Sequence, residues 1–408
     1  MRPVTLIKKF ITEAENELYH NILPFWAEKT TDLTNGGFLG KISRNLTVSP
    51  NAEKSCILNS RILWTFSAAY RMRRQISYLA IAKRAFDYLR KYFWDDQHSG
   101  LYFMVNHLGM VSNSRKQLYN LAFGIYGLTE YYLATGVKES LDLAKEIYRL
   151  IEKYGYDPIN KGYFEAFSRD WQSISDMRLS TKDLNEQKSM NTHLHLLEAY
   201  TNLVKATPAD NELKSKLSGL VNIMVEQIID QQTYHFRLFF DEVWNSKTTT
   251  ISYGHDIEGS WLIGEAAKVL GDTQTSDRVY KLAVNIAKQI YQEGLDREYG
   301  GLFNECSDGI QLPQKEWWPQ SEAIVGFLNA FQLTGEEHFF EIAYELWLYS
   351  QTYFVDKVYG EWFYMLTREG LPIDEYEKVG PWKCPYHNGR ACMEIITRLS
   401  SVASPLAI

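Results

Sequence analysis

Two kinds of apolar stretch alternate along the chain. The first kind is apolar almost all round and begins near Asn59 (NSRILWTFSAAY), Asn120 (NLAFGIYGLTEYY), Asn191 (NTHLHLLEAY), Glu258 (EGSWLIGEAAKVL), Ser321 (SEAIVGFLNAFQL) and Asn388 (NGRACMEIITRL). Such segments predict helices buried on most sides. Several open on Asn or Ser, whose side chains accept orphan backbone N–H groups at a helix N-terminus. The second kind occupies 5–19, 76–93, 138–154, 212–231, 275–293 and 337–353, where apolar residues recur at three and four positions. That spacing predicts helices that cover a core with one face.

A third element keeps the same period. Gly36-Gly37-Phe38, Gly100-Leu101-Tyr102-Phe103, Gly162-Tyr163-Phe164, Gly300-Gly301-Leu302-Phe303 and Gly360-Glu361-Trp362-Phe363 share a glycine–aromatic signature, and Tyr234-His235-Phe236 fills the gap without a glycine. The units recur about every 65 residues, and six of them account for nearly the full 408. A parallel α/β protein would need long apolar strands between its helices, and none is present. An open solenoid would need polar end repeats, whereas the unit from Asn388 onward is among the most apolar. The pattern therefore predicts an all-α fold spanning residues 1–408: a single (α/α)6 barrel of six inner and six outer helices with short β-hairpins. The polar run 175–188 reads as a loop over one end.

Composition narrows the partners. Hydrophobic residues at 45% and charged residues at 23% describe a globular chain and exclude wholesale disorder. The formal charge of −7 speaks against nucleic acid and favours a neutral ligand. No apolar run is long enough for a membrane span, and Lys8 and Lys9 interrupt the region where a secretion signal would need an apolar core. Cys56, Cys306, Cys384 and Cys392 form neither a C-x-x-C pair nor a dense framework, which fits a reducing, cytoplasmic setting. Asn45-Leu46-Thr47 matches a glycosylation acceptor but has no secretory context, so it reads as chance. The sequence gives no sign of an obligate partner, and the expected state is a monomer.

The unusual chemistry gathers at the starts of the buried helices. His195 lies early in the third, His255 ahead of the fourth and His387 ahead of the sixth. One histidine at a helix start is ordinarily a cap or a satisfied core group. Three at equivalent places in a closed ring would converge on one cavity. The positive end of a helix disfavours imidazolium, so these rings should stay neutral and able to act as bases. Asn191 shares a helix face with His195, and Glu258 with His255. Arg61 sits in an otherwise apolar opening and needs an anion, either a structural carboxylate such as Glu258 or Glu322 or a charge that develops in a substrate. Trp318 and Trp382 precede the last two inner helices and suit stacking on sugar C–H faces, with Tyr119 and Phe123 extending the wall. His193, two residues from His195, points away from it and has no evident role. Phosphate-loop, dinucleotide, H-E-x-x-H and nucleophile-elbow motifs are all missing, so neither a metal nor an organic cofactor is expected.

Asn59-Ser60-Arg61-Ile62-Leu63-Trp64, Met190-Asn191 with His195, Ser252-Tyr253-Gly254-His255-Asp256-Ile257-Glu258, Trp317-Trp318-Pro319-Gln320-Ser321-Glu322 and Pro381-Trp382-Lys383-Cys384-Pro385-Tyr386-His387-Asn388-Gly389-Arg390 resemble the cellobiose 2-epimerases of the N-acylglucosamine 2-epimerase superfamily. The resemblance runs from about residue 15 to 400 and implies an (α/α)6 barrel, in agreement with the repeat count. It also implies cofactor-free, reversible epimerisation at C2 of the reducing glucose of β-1,4-linked disaccharides. By position, His255 and His387 resemble the acid/base pair, His195 the histidine near the ring oxygen, and Arg61 the arginine that steadies the enediolate. Asn191, Glu258, Tyr119, Trp318 and Trp382 resemble substrate contacts, as do Asp183, Phe123 and Glu322. Pro319 departs from the family pattern.

Competing readings within the superfamily are an N-acylglucosamine epimerase and a monosaccharide aldose–ketose isomerase. Outside it stand an inverting glycoside hydrolase, which needs paired carboxylates, and a sugar-binding barrel without catalysis.

Overall fold

The computed structural model describes residues 4–403, and its regular structure is dominated by thirteen α-helices. Helix α1 (Val4–Glu17) continues through a π-helical turn (Leu18–Ile22) into α2 (Leu23–Glu28). The inner ring is α3 (Cys56–Met72), α5 (Leu118–Thr135), α7 (Met190–Ala206), α9 (Tyr253–Leu270), α11 (Trp317–Thr334) and α13 (Tyr386–Ala403). With α1, the outer layer is α4 (Ile76–Tyr88), α6 (Lys138–Leu150), α8 (Asn211–Ile223), α10 (Thr273–Glu293) and α12 (Glu337–Tyr349). Each inner helix packs on the next, α13 packs on α3, and α1 covers α13. The ring therefore closes, as the apolar last unit requires. Leu89–Phe93, Ile151–Gly155, Met224–Ile228 and Ser350–Phe354 add a π turn to four outer helices, so the outer segments reach the lengths expected from the periodicity.

Helix starts differ from the sequence expectation. The inner helices begin earlier than their Asn or Ser residues, and the true side-chain caps are Ser55, accepting from Leu58 N–H, and Ser189, accepting from Thr192 N–H. Asn59 and Asn120 instead lie inside the first turn, where Asn59 donates to the Ser55 carbonyl and Asn120 to the Tyr102 carbonyl. His255 and His387 consequently sit within the first turns of α9 and α13, not ahead of them.

The glycine–aromatic snippets form a tight turn in each unit, closed by the pairs Thr31/Phe38, Trp94/Leu101, Tyr156/Tyr163, Ile229/Phe236, Leu295/Leu302 and Val355/Trp362. The longer pairings join neighbouring units: Lys54–Ser55 with Met104–Val105, Lys116–Gln117 with Ala166–Phe167, Lys188–Ser189 with Phe239–Phe240, Ile251–Ser252 with Glu305–Ser307, and Lys315–Glu316 with Met365–Leu366. Val379 pairs with Ile42 and ties the last unit to the first. A second, backbone-bonded ring thus closes at the inner-helix N-termini, and the site residues hang from it.

Each turn is organised by one aspartate. Asp32, Asp95, Asp157, Asp230, Asp296 and Asp356 each accept the backbone N–H groups two and three residues on. Five of them also hold a buried lysine: Lys54, Lys116, Lys188, Lys315 and Lys378, at 2.6 to 3.0 Å. In the fourth unit Arg237 takes that place on Asp230 at 2.6 Å. Where that unit lacks glycine, Tyr234 itself adopts a φ of 59°. A lysine stripped of water needs its carboxylate, and removing one member of such a pair leaves an uncompensated buried charge. Asp95 serves both Lys116 and Arg169, so Asp95→Ala is expected to lower folding stability by about 3 kcal/mol, read from urea unfolding midpoints.

Candidate active site

The polar residues singled out by the repeat do come together at one end of the barrel. His255 and His387 project from the first turns of α9 and α13 and His195 from the second turn of α7, and a chain of ring contacts links them. His255 lies 4.6 Å from Trp318, which lies 5.6 Å from His387. His387 meets Tyr386 at 4.7 Å, Tyr386 meets Phe123 at 5.4 Å, and Phe123 meets His195 at 4.7 Å. Tyr119 packs edge-on to His195 at 4.9 Å and reaches Trp382 at 6.2 Å. The tight seat of Trp318 depends on Gly254, where any Cβ would fall within 2.5 Å of the indole. Pro319 is the third residue of α11. A helix leaves that N–H without an intrahelical partner, so the proline costs α11 no backbone hydrogen bond.

Each imidazole is fixed through Nδ1. His387 Nδ1 bonds Glu322 Oε1 at 2.7 Å, His195 Nδ1 bonds Glu198 Oε2 at 2.9 Å, and His255 Nδ1 bonds the Ser252 hydroxyl at 2.7 Å. Burial lowers the pKa of all three, to about 3 for His255, where the neighbouring His195 charge adds to the effect. Arg61 and Arg390 push His387 further down. These rings are neutral, with Nε2 left for other work.

Behind them lies a charge cluster. Arg390 is 1% exposed; one of its nitrogens bonds both Glu258 and Glu322 at 2.7 Å, and the other bonds Glu198 and the Tyr386 hydroxyl. Burial alone would raise the Glu198 pKa, but Arg390 and His195 outweigh it and hold it at about 2. Glu258 moves the other way, well above the carboxylate range, because it is buried and faces Glu322. Ligand atoms of Glu258, Glu322 and His387 lie within 4.8 Å of one another, as in a metal site. The Arg390 guanidinium already lies between the two carboxylates and supplies the positive charge that a cation would bring.

Arg61 is different. It is buried, yet it touches neither Glu258 nor Glu322, and no carboxylate reaches it among the described residues. Its nitrogens donate to the Tyr119 hydroxyl at 2.7 Å and the Trp382 carbonyl at 3.4 Å, and contact Cys384 Sγ at 3.6 Å, while the Phe123 and Tyr386 rings flank it. Arg61 Nε, Asn191 Oδ1 and Glu258 Oε2 are buried atoms without a hydrogen-bond partner. Orphaned buried polar atoms of this kind are what a polar ligand would satisfy.

Asn191, Asp183 and His255 line a cavity of about 90 Å³ beside this cluster, together with Leu179 and Leu184. The 175–188 segment is the expected irregular loop; Ser180 N–H bonds Asp183, and Met177 N–H bonds Asn185. Glu322 is the one predicted sugar contact whose carboxylate is spent on protein groups, namely His387, Arg390 and Trp261. Sequence reasoning missed Glu198, Tyr386, Ser252, and Glu316, whose carboxylate accepts the Trp318 indole N–H at 2.8 Å.

His193 proves structural: Nδ1 donates to the Ser189 carbonyl at 2.7 Å and Nε2 accepts Tyr163 N–H at 2.9 Å. That arrangement requires the neutral ring, and burial takes its pKa to about 4. The unfolded chain binds this proton from about pH 6.5 downward while the folded chain refuses it until about pH 4. Stability is therefore complete above pH 6.5 and falls on acidification between those values, by about 3 kcal/mol from His193 alone. Thermal unfolding across that window reads the loss.

The sequence profile of the N-acylglucosamine 2-epimerase (GlcNAc 2-epimerase) family matches residues 37–391. A cellobiose 2-epimerase of Bacteroides fragilis is 42% identical over 385 residues, covering 94% of this chain and 98% of the relative. One from Dictyoglomus turgidum is 40% identical, covering 96% and 100%. Among solved structures, the cellobiose 2-epimerase of Bacillus thermoamylovorans superposes with a TM-score of 0.91 at 41% identity, covering 96% of this chain and all of that one. With a closed (α/α)6 ring and a histidine-rich end of this geometry, the chain belongs to the N-acylglucosamine 2-epimerase family.

Proposed function

We propose that this chain interconverts glucose and mannose at the reducing end of β-1,4-linked disaccharides such as cellobiose and lactose, by inverting C2. The observation that carries the proposal is a buried arginine without a carboxylate, Arg61, beside three buried, neutral histidines. The arginine suits a negative charge that exists only during reaction, and the histidines suit proton transfer at neutral pH.

Epimerisation first needs the sugar ring open, because only the aldehyde acidifies the C2–H. His195 serves the ring oxygen and O1. One of His255 and His387 takes the C2 proton through Nε2, and the C–H electron pair moves toward C1 to give a planar enediolate with its charge on oxygen. Arg61 stabilises that charge. The other histidine takes a proton from solvent and delivers it from Nε2 to C2 on the opposite face, and the first ring then releases the abstracted proton to solvent. The two rings must therefore stand across the plane and exchange roles in the reverse direction. Asn191, Glu258 and Tyr119 hold sugar hydroxyls, Trp318, Trp382 and Phe123 form the apolar wall, and Asp183 with the loop lies at the far sugar. Glu322 acts from behind His387. On this reading the chain works as a cytoplasmic monomer on a neutral substrate and without a cofactor. Its four buried cysteines are unpaired, and no described helix is long and apolar enough to cross a membrane.

Incubation with cellobiose in heavy water tests the reading. The expected product has unchanged disaccharide connectivity, mannose configuration at the reducing end and deuterium at C2. Release of glucose would favour hydrolysis, and binding without exchange would leave only a sugar-binding barrel. Turnover restricted to free mannose or N-acylglucosamine would move the chain to another branch of the family.

A further inference from the structure

Both dyads, His387–Glu322 and His195–Glu198, and the carboxylate of Glu258 meet at one side chain that does not itself belong to the acid/base pair. Arg390 rises from the second turn of α13 and reaches α7 through Glu198, α9 through Glu258 and α11 through Glu322. Its plane is held between Trp261, 4.6 Å from its ring centre, and Tyr386 at 4.2 Å. We propose that Arg390 is a positioning residue that fixes the working tautomers of His387 and His195 by tying together the carboxylates of Glu322, Glu198 and Glu258. The inference rests on the epimerase reading of the site.

Geometry supplies the reason. Three carboxylates share a water-poor space with one guanidinium between them. Glu258 is already held well above the carboxylate range, so the cation acts chiefly on Glu322, which burial also raises; without Arg390 that carboxylate would take a proton or turn away. Glu322 is the acceptor for His387 Nδ1–H; if it protonates or rotates, Nε2 is no longer fixed as the basic nitrogen aimed at C2. The same logic links Glu198 to His195. Lysine cannot substitute, because one ammonium cannot span partners on three helices as a planar fork does. The titratable and charged groups around the cluster are Arg61 on α3, Tyr126 on α5, His195 and Glu198 on α7, Glu258 on α9, Glu322 on α11, and Tyr386 and His387 on α13. Arg390 is one of the two arginines that disfavour imidazolium at His387.

The test pairs Arg390→Gln and Arg390→Lys. Both are expected to lose on the order of 100-fold in kcat, with KM changed far less, because sugar contacts remain. Removing the charge in Arg390→Gln raises the pKa of His387 and of the carboxylates, so the acid limb of the kcat/KM profile moves to higher pH. Arg390→Lys keeps the charge and moves the limb less while losing the rate. Imidazole ¹⁵N resonances of histidine-labelled protein report the same shift without any turnover, so a failure of the epimerase reading is seen separately, as absence of C2 exchange in the wild type. A folded Arg390→Gln protein with unchanged kcat, acid limb and histidine titration overturns the inference. Should Arg390→Gln fail to fold, Tyr386→Phe removes only the hydroxyl shared by Arg390 and Glu198. A kcat fall of about 10-fold with altered His195 resonances supports the proposal, and wild-type values for both overturn it.

Discussion

Alanine at position 387 is expected to cut inversion at C2 by about 1,000- to 10,000-fold, and alanine at 255 by a similar factor. Inversion needs a proton donor and an acceptor on opposite faces of a planar intermediate, and one imidazole cannot serve both faces within a turnover. The two losses should differ in kind. A protein that keeps one base can still abstract the proton from the epimer whose C2–H points toward that base, and can return it to the same face. His387→Ala and His255→Ala should therefore show residual exchange without inversion, each preferring the opposite epimer as substrate. Starting from cellobiose in one experiment and from glucosyl-mannose in the other, with C2 deuterium followed by NMR, separates the two. Near-normal epimerisation by either variant would sink the two-base scheme. Substrate affinity should change little, because Trp318 and Tyr386 pack against the lost His387 ring without taking a hydrogen bond from it.

The two classes of helix, their period and the closure of the ring are legible in where apolar residues fall along the chain, because burial on all sides and burial on one face leave different patterns. The inner-helix starts are harder to place. Asn59, Asn120 and Asn191 look like caps, whereas two of them bond backward to backbone carbonyls from within the first turn. The strands that join one unit to the next leave no pattern: segments such as Lys54–Ser55 are two residues long and show no alternation. The six turn aspartates repeat in sequence, but their five lysine partners are polar residues that no periodicity marks as buried. At the site, His195, His255, His387 and Arg61 stand out because they break an apolar pattern. Glu198 could have been found by the same three-residue spacing that links Glu258 to His255. The role of Arg390 could not, since its three carboxylates lie on three other helices. The fate of Glu322, taken up by His387 and Arg390, also depends on contacts across the ring.

The second large effect belongs to Arg61. Arg61→Met keeps much of the apolar stem and removes the charge that lies over Phe123; kcat should fall by about 1,000-fold. The size follows from the surroundings. The guanidinium is 3% exposed, and its neighbours hold its pKa above the usual value against the opposing effect of burial, yet those partners are a phenol, a backbone carbonyl and a thiol, none of them formally anionic. An unneutralised cation in such a place costs stability in the resting protein. It gains a true counter-charge only when an enediolate forms beside it, so its attraction for the transition state exceeds that for the sugar. Arg61→Met should therefore be at least as stable as the wild type to urea while being nearly inactive. A residue retained only for packing or ion pairing would show the reverse, with lost stability and modest effect on rate. Arg61→Lys separates charge from shape: an ammonium can neutralise one oxygen but cannot keep the bonds to Tyr119 and Trp382 while facing O1 and O2 together. Its kcat should fall between those of Arg61→Met and the wild type, with KM for cellobiose nearly constant across the three proteins. Equal kcat in Arg61→Met and the wild type would remove Arg61 from the chemistry and leave the negative charge of the intermediate without a partner in the site.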